Sequence, residues 1–410
     1  MPDKPNKIDR LIEKLCPDGV EYKELGEMFN FKNGYTPSKS KKDYWQDGTI
    51  PWFRMEDIRL NGSILSKATQ QVNVSAIKGG KVFPANSILV ATSATIGEHA
   101  LITVPHLSNQ RFVSLSLNIK YQDLFNIKFL YYYFYILDDW CIKNVTKSSF
   151  ASVDMSGFRK FPIPLPPLPV QEEIVKILDT FTELEAELEA ELESRKKQYE
   201  YYRDELLTFG DEVEWKTLGE VSNYRRGSFP QPYGNKEWYD GKDSMPFVQV
   251  VDVDKNMKLV PSTKNRISKL AQPKSVFAQS GSVLVTLQGS IGRVAITQYD
   301  AYVDRTLAIF ESYKTDINIK YFAYQLQKIF GTEKEKARGS TIKTITKEEF
   351  TKFKIPIPSL SEQERIVGIL DKFDALVNDI SAGLPAEITR RRKQYEYYRS
   401  KLLTFKKLAG

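Results

Sequence analysis

Residues Val170–Phe209 read VQEEIVKILDTFTELEAELEAELESRKKQYEYYRDELLTF. Apolar side chains at Ile174, Ile177, Phe181, Leu184 and Leu188 are spaced three and four apart. That spacing gathers them on one face of an α-helix, with charge around the rest. After a skip at Leu192 the stripe resumes at Tyr199, Tyr202, Leu206 and Phe209. At 1.5 Å per residue such a rod is roughly 60 Å long. It is too long for one side of an ordinary core, and its single seam calls for a second helix alongside.

The chain supplies that second helix. Ile366, Ile369, Phe373, Leu376 and Ile380 repeat the first stripe, and Tyr395, Tyr398, Leu402 and Phe405 repeat the second. KQYEYYR stands at Lys197–Arg203 and again at Lys393–Arg399. Gln171 matches Gln363, an offset of 192, whereas Tyr199 matches Tyr395, an offset of 196, so the second copy holds four extra residues. They fall near Ser381–Leu384, where Gly383 and Pro385 mark a kink or break. Four residues is also the length of a stutter, which unwinds a supercoil locally and keeps the seam.

The globular blocks ahead of these helices repeat as well. VEYKELGE at Val20–Glu27 matches VEWKTLGE at Val213–Glu220. Ser87–Val90 leads to Thr95-Ile96-Gly97 as Ser282–Val285 leads to Ser290-Ile291-Gly292. Each block reads as mixed α and β: short β-rich runs, a helical segment (Asp123–Ile136, Ile319–Phe330), a polar loop and a proline-studded exit. The exits, FPIPLPPLP at Phe161–Pro169 and FKIPIPS at Phe353–Ser359, are expected to be stiff connectors rather than PxxP ligands. The fold expected is α+β: two similar mixed α/β domains joined by two long helices in an antiparallel coiled coil. The expected boundaries are 1–168, 169–209, 210–360 and 361–406.

Composition narrows the class. The 410 residues are 41% hydrophobic and 12% aromatic, enough for ordered cores, and no apolar run reaches bilayer length. Lys4, Lys7 and Arg10 have no apolar run behind them, so no signal peptide is expected. Two cysteines, Cys16 and Cys141, fit a reducing cytoplasm. The net charge of +7 is partitioned: +5 over 1–169, −7 over 170–209, +6 over 210–357 and +3 beyond. Two mildly basic blocks flank an acidic rod.

The residues do not suggest catalysis. Only two histidines are present, His99 and His106, without a cysteine cluster, and there is no GxxxxGK[ST] loop or strand-linked GxGxxG turn. The two Ser/Thr-Ile-Gly turns have backbone amides that could hold a phosphate, but a tight turn needing glycine geometry is the preferred reading.

The functional signal lies in divergent polar loops at equivalent places. Lys32–Trp45 and Arg225–Tyr239 mix basic, aromatic and amide or hydroxyl side chains. The candidates in the first block are Lys39, Lys41, Lys42, Arg54, Arg111, Lys147 and Ser148. Those in the second are Arg225, Arg226, Gln249, Gln288, Arg305, Arg338, Ser340 and Lys343. Arg111 and Arg305 are read as an equivalent pair. Such residue types on a rigid frame suit phosphate contact and base-edge reading, and the set points to double-stranded DNA.

At this point the sequence resembles a specificity subunit of a type I restriction-modification system. The marks are the duplicated proline exit with QEEIVKILD (Gln171–Asp179) and QERIVGILD (Gln363–Asp371), and LPAEI…RRKQYEYYRSKLLTF (Leu384–Phe405). The first copy departs by reading LEAELEAEL at Leu184–Leu192. The resemblance implies two target recognition domains, each reading half of a bipartite DNA site, spaced by the coiled coil. It implies partners: two adenine methyltransferase subunits and restriction/translocase subunits, which use S-adenosylmethionine, ATP and Mg2+, with no cofactor bound by this chain. The coiled-coil and partner-binding candidates are Ile174, Phe181, Leu188, Tyr199, Tyr202, Leu206, Ile366, Phe373, Ile380, Arg391, Tyr395, Tyr398 and Leu402. Exposed faces at Glu183–Glu193 and Arg390–Arg392 are expected to dock the methyltransferase. If Ser381–Leu384 is helical, four residues added there would shift the DNA spacer by one or two base pairs. Three alternatives stay open: a non-catalytic scaffold without a DNA role, a single-chain enzyme with an unrecognised site, and a subunit of a methylation-only or type II-like system.

Overall fold

The helix that begins at Leu168 runs unbroken to Leu206 in the computed structural model, which describes residues 7–146, 151–336, 350–379 and 381–408. The chain forms two units, Met1–Glu187 with Arg390–Gly410, and Leu188–Thr389. Each unit pairs helix segments antiparallel. In the first, Phe181 stacks on Tyr398 with ring centroids 5.5 Å apart and meets Tyr395 at 6.2 Å, while Glu185 receives a hydrogen bond from Arg392. In the second, Phe373 meets Tyr202 at 5.7 Å and Tyr199 at 6.2 Å, and Leu207 packs with Ile366 and Leu370.

The seam is drier near the blocks than along the rod. Ile174 and Leu178 are fully buried, whereas Leu184 is 40% exposed and Leu188 half-buried. Tyr202 and Tyr398 stay partly exposed, so the tyrosines cover the seam with ring faces rather than sealing it. Arg392, whose side chain stays 53% exposed, also donates to Glu185.

The second long helix is two helices, Leu360–Asn378 and Leu384–Leu402. The four extra residues therefore make a break and not a stutter. Asp379 Oδ1 accepts the N–H of Ser381 at 2.7 Å and the Ser381 hydroxyl at 2.6 Å, and Gly383 N–H closes onto Asp379 O at 3.0 Å. A Cβ on Gly383 would lie 2.5 Å from Ala375 O. The condition attached to the spacer expectation, a helical Ser381–Leu384, is not met. Ile380 lies outside the described residues.

Each glutamine of the QEEIV and QERIV motifs is a buried plug. Gln171 Oε1 accepts the Asn126 N–H at 2.9 Å, and its Nε2 donates to Leu124 O at 2.9 Å and Pro166 O at 2.7 Å. Gln363 repeats this with Asn318 N–H at 2.8 Å and Pro358 O at 2.8 Å. Asn126 also caps the helix Ile127–Lys143, which is why that helix starts later than the apolar pattern suggested. The proline exits are strands: Pro162–Leu165 pairs antiparallel with Glu21–Glu24, and Lys354–Ile357 with Glu214–Thr217. In these two-stranded ladders every strand is an edge, so prolines fit on the side that needs no N–H donor.

The blocks share a four-strand order in the main sheet, to which the first adds Ile64–Leu65. The first has a five-stranded sheet in the order Phe29–Asn33, Phe112–Leu117, Ser87–Ala91, His99–Ile102, Ile64–Leu65. The second has Ser222–Arg226, Leu307–Tyr313, Val283–Thr286, Val294–Ile296. A smaller sheet centred on Ile50–Phe53 or Met245–Val248 completes each block. The register pairs Ala91–Phe112 and Thr286–Leu307 coincide under a shift of 195 residues. Gly97 and Gly292 take positive φ, +91° and +76°, where the turn meets Ile142 in one block and Phe330 in the other. These are tight turns pressed against a helix. No helix among the described residues is long and apolar enough to cross a membrane.

Candidate nucleic-acid interface

The loop after Phe29–Asn33 is pinned at its root. Gly34 N–H donates to Phe112 O at 2.9 Å and Tyr35 N–H to Ser108 O at 2.7 Å. A Cβ on Gly34 would stand 1.9 Å from Asn109 O, so only glycine allows this approach. Trp52 Nε1 donates to Tyr35 O at 2.9 Å, and Trp45 packs edge-on against Trp52 at 5.0 Å. With its aromatics held, the loop presents Lys39, Lys41 and Lys42 to solvent.

Arg54 leaves the end of strand Ile50–Phe53 on a rigid turn. Its N–H donates to Asp57 Oδ2 at 2.8 Å, and Asp57 Oδ1 accepts the Thr69 N–H at 2.7 Å. Asp57 is fully buried. A carboxylate shared by two segments fixes both ends of the loop between them. Arg54 then lines a cleft of about 560 Å³ with Lys39, Lys42, Gln70, Gln110 and Arg111. Among the described residues Glu56 is the one carboxylate lining the cleft beside these four cations, so the concave surface carries a positive field. The structure thus brings together four of the residues singled out in the sequence.

The second block repeats the frame and changes what it carries. Gln249 N–H donates to Asp252 Oδ2 at 2.8 Å, and Asp252 Oδ1 accepts the Lys264 N–H at 2.8 Å. Gln249 therefore stands where the first block has Arg54. Asn265 stands where the first has Gln70, since Pro51 pairs with Gln71 as Pro246 pairs with Arg266. Asn265 Nδ2 donates to Gln249 Oε1 at 2.7 Å, orienting that amide. Gln70 and Asn265 were missed from the sequence. Following the 195-residue register through the strands, rather than reading loops alone, points to them.

Two expectations need correction. Arg111 and Arg305 are not equivalent. Asn109 Oδ1 accepts the Arg111 N–H at 3.1 Å, while Asp304 Oδ1 accepts the Thr306 N–H at 2.9 Å. The shared turn thus sets Arg111 opposite Thr306 and Arg305 opposite Gln110. Arg305 is exposed, with its guanidinium 5.1 Å over the Tyr233 ring. The Tyr233 hydroxyl donates to Asp304 Oδ2, and burial together with that carboxylate raises its pKa. Arg225 and Arg226 are the last residues of strand Ser222–Arg226 rather than loop residues, and Arg225 lies 3.6 Å from Glu311. Gln288 is half-buried just beyond strand Val283–Thr286. Lys147, Ser148, Arg338, Ser340 and Lys343 lie outside the described residues.

Both histidines are buried in the first block. His99 Nδ1 faces Asp138 Oδ2 at 2.5 Å and its Nε2 faces Tyr131 O at 2.9 Å. His106 Nδ1 donates to Val104 O at 2.9 Å, and burial pushes its pKa down to about 4.

The profile of the family described as type I restriction modification DNA specificity domain matches residues 17–194 and 210–390. The chain is 43% identical over 393 residues to the specificity subunit of the type I restriction enzyme EcoprrI from Escherichia coli, covering 90% of this chain and 92% of that protein. It is 37% identical over 303 residues to the EcoR124I/EcoR124II specificity subunit from Escherichia coli, covering 68% of this chain and 71% of that one. Among solved structures, a chain described with complex assembly and conformational transition of the type I R-M system aligns with a TM-score of 0.65 at 19% identity, over 95% of this chain and 98% of that one. At that identity the likeness concerns the fold.

Proposed function

The chain belongs to the type I restriction modification DNA specificity family, and from that premise we propose that it is a specificity subunit reading a bipartite DNA target. The observation that carries this reading is one frame used twice with different side chains on it: Arg54 with Gln70, and Gln249 with Asn265. Guanine offers two acceptors, N7 and O6, in the major groove, and a guanidinium meets both. Adenine offers an acceptor and a donor, N7 and N6–H, and an amide meets both. In this reading Arg54 selects guanine in one half-site and Gln249 selects adenine in the other. Asn265 holds the Gln249 oxygen so that its second lone pair faces N6–H. Lys39, Lys41, Lys42, Arg111 and Arg305 neutralise phosphates and set position without choosing sequence.

The partners in this reading are two adenine methyltransferase subunits and the restriction/translocase subunits, forming a type I site-specific deoxyribonuclease in which this chain is not the enzyme. S-adenosylmethionine, ATP and Mg2+ serve those subunits. The acidic helix surface from Glu183 to Glu193, exposed over most of its length, is the first choice for methyltransferase docking. The place of work is the cytoplasm, where the DNA is.

The test is co-expression with the methyltransferase subunit encoded beside it, followed by mapping of N6-methyladenine in the host DNA. A single two-part motif with a fixed gap is expected. Unmethylated DNA despite a copurified partner would overturn the reading.

A further inference from the structure

The two blocks differ where the helix Ile127–Lys143, or Ile319–Lys336, faces the tyrosine-rich end of a coil helix. Equivalence here is fixed by contacts. Lys128 and Tyr132 both bond Asp179, and Lys320 and Tyr324 both bond Asp371. Tyr131 therefore corresponds to Ala323, and Tyr135 to Gln327. Val90 pairs with His99 as Val285 pairs with Val294. The repeated KQYEYYR run makes Arg399 the counterpart of Arg203.

In the first unit this place is full. The Tyr135 ring lies 4.7 Å from His99 and 5.9 Å from Tyr131, and the Arg399 guanidinium covers it at 4.1 Å. Arg59 closes the rim on Glu98 at 3.3 Å. In the second unit two tyrosines have become alanine and glutamine, and histidine has become valine. A cavity of about 480 Å³ opens beside Gln327 and Val294, the counterparts of Tyr135 and His99. That volume falls within the range of small-molecule sites.

The lining has also changed sign. Arg293 replaces Glu98, and the cavity is walled by Arg203, Lys255, Arg293 and Lys328 against Asp204 and Asp254. Among the described lining residues four cations face two carboxylates, and Asp254 has other calls on it. Asp254 Oδ1 accepts the N–H groups of Asn256 at 2.8 Å and Lys258 at 2.9 Å. Asp204 Oδ1 takes the Arg203 guanidinium at 3.0 Å. Arg293 Nη1 donates to Val253 O at 3.2 Å, and Lys328 Nζ to Thr208 Oγ1 at 2.5 Å and Asp204 O at 3.3 Å. Burial lowers the pKa of Lys328.

We propose that this cavity in the second unit binds a small organic phosphate, with the phosphate oxygens among Arg203, Arg293 and Lys328 and the organic part beside Gln327, in the space that the Tyr135 ring fills in the first unit. Planar guanidinium forks and a lysine point charge are the usual means of holding such an oxyanion. The site goes beyond DNA reading and needs no half of the target.

Phenyl phosphate, which carries a tyrosine-sized ring on a phosphate, is the probe. Its binding to the full chain is measured by calorimetry at constant ionic strength, beside inorganic phosphate. Saturable binding, tighter than that of inorganic phosphate, is expected. Gln327→Tyr restores the first unit's plug with a residue the fold already accepts there, and should abolish binding. Arg293→Glu should weaken it at least tenfold, as losing a charge-assisted hydrogen bond does. Circular dichroism and retained partner copurification check that each variant folds. Absence of binding at millimolar probe, equal affinity for inorganic phosphate, or undiminished binding in Gln327→Tyr would each overturn the proposal. Displacement of the probe by a duplex oligonucleotide would overturn it too, by assigning the cations to the DNA backbone.

Discussion

Arg54 and Gln249 occupy the same position in two copies of one frame, each donating its backbone N–H at 2.8 Å to a buried aspartate three residues on. Because Asp57 and Asp252 hold the backbone, exchanging the side chains exchanges only the tip. Arg54→Gln is expected to change the preferred base from guanine to adenine at one position of one half-site, leaving the other half intact. Discrimination there should move by about 1–3 kcal/mol, the worth of one bidentate base contact. Methylome sequencing of the variant reads this directly. An unaltered motif would remove Arg54 from base reading.

Gln171 is a stability residue at a domain's exit. Leucine there would leave the Asn126 N–H and the Leu124 carbonyl without this partner and strand the buried Pro166 carbonyl. Each stranded polar group costs about 1–3 kcal/mol, so Gln171→Leu should unfold at clearly lower urea. Gln122→Leu, at an exposed position, is the control and should change little. Equal midpoints for the two variants would contradict the plug role.

Much of this was legible in the sequence because repetition made it so. The helix pair, the blocks and the cation-bearing loops all declare themselves twice. What the sequence hid was register. Arg111 and Arg305 match in residue type, whereas the ladder fixes backbone position and puts Gln110 opposite Arg305. The proline exits misled because proline argues against a strand, and only a two-stranded ladder leaves both strands with a free side. Gln70 and Asn265 carry no motif. They matter only because a neighbouring strand places them beside Arg54 and Gln249.

The break between Leu360–Asn378 and Leu384–Leu402 is held by Gly383 as well as by Asp379. With carbonyls of Ala375 and Leu376 only 2.5 and 2.7 Å from where a Cβ would stand, Gly383→Ala must push the turn open. A loss of about 1–3 kcal/mol, the usual cost of overpacking, is expected. Asp379→Ala removes the bonds to Ser381 and should add a smaller loss. Urea midpoints measure both, and a neutral Gly383→Ala would mean that the turn is not close-packed.

His106 should make the first block sensitive to mild acid. Its Nδ1–H donates to Val104 O, and its Nε2 is buried without a partner among the described residues, so the folded ring is neutral. Phe53 and Phe83 face it edge-on at 5.7 and 5.6 Å. The folded pKa of about 4 lies below the unfolded value of 6.5. Between these values the unfolded chain takes up a proton that the folded chain refuses. Stability from this group is therefore complete above about pH 6.5 and is lost as pH falls toward 4, in total about 3 kcal/mol. The second block has Ala301 at the equivalent place and lacks this term. Urea unfolding of the wild type and of His106→Leu at pH 7 and near pH 4.5 separates the contribution. The wild type should lose more stability on acidification than the variant, and parallel losses would show that His106 does not carry the effect.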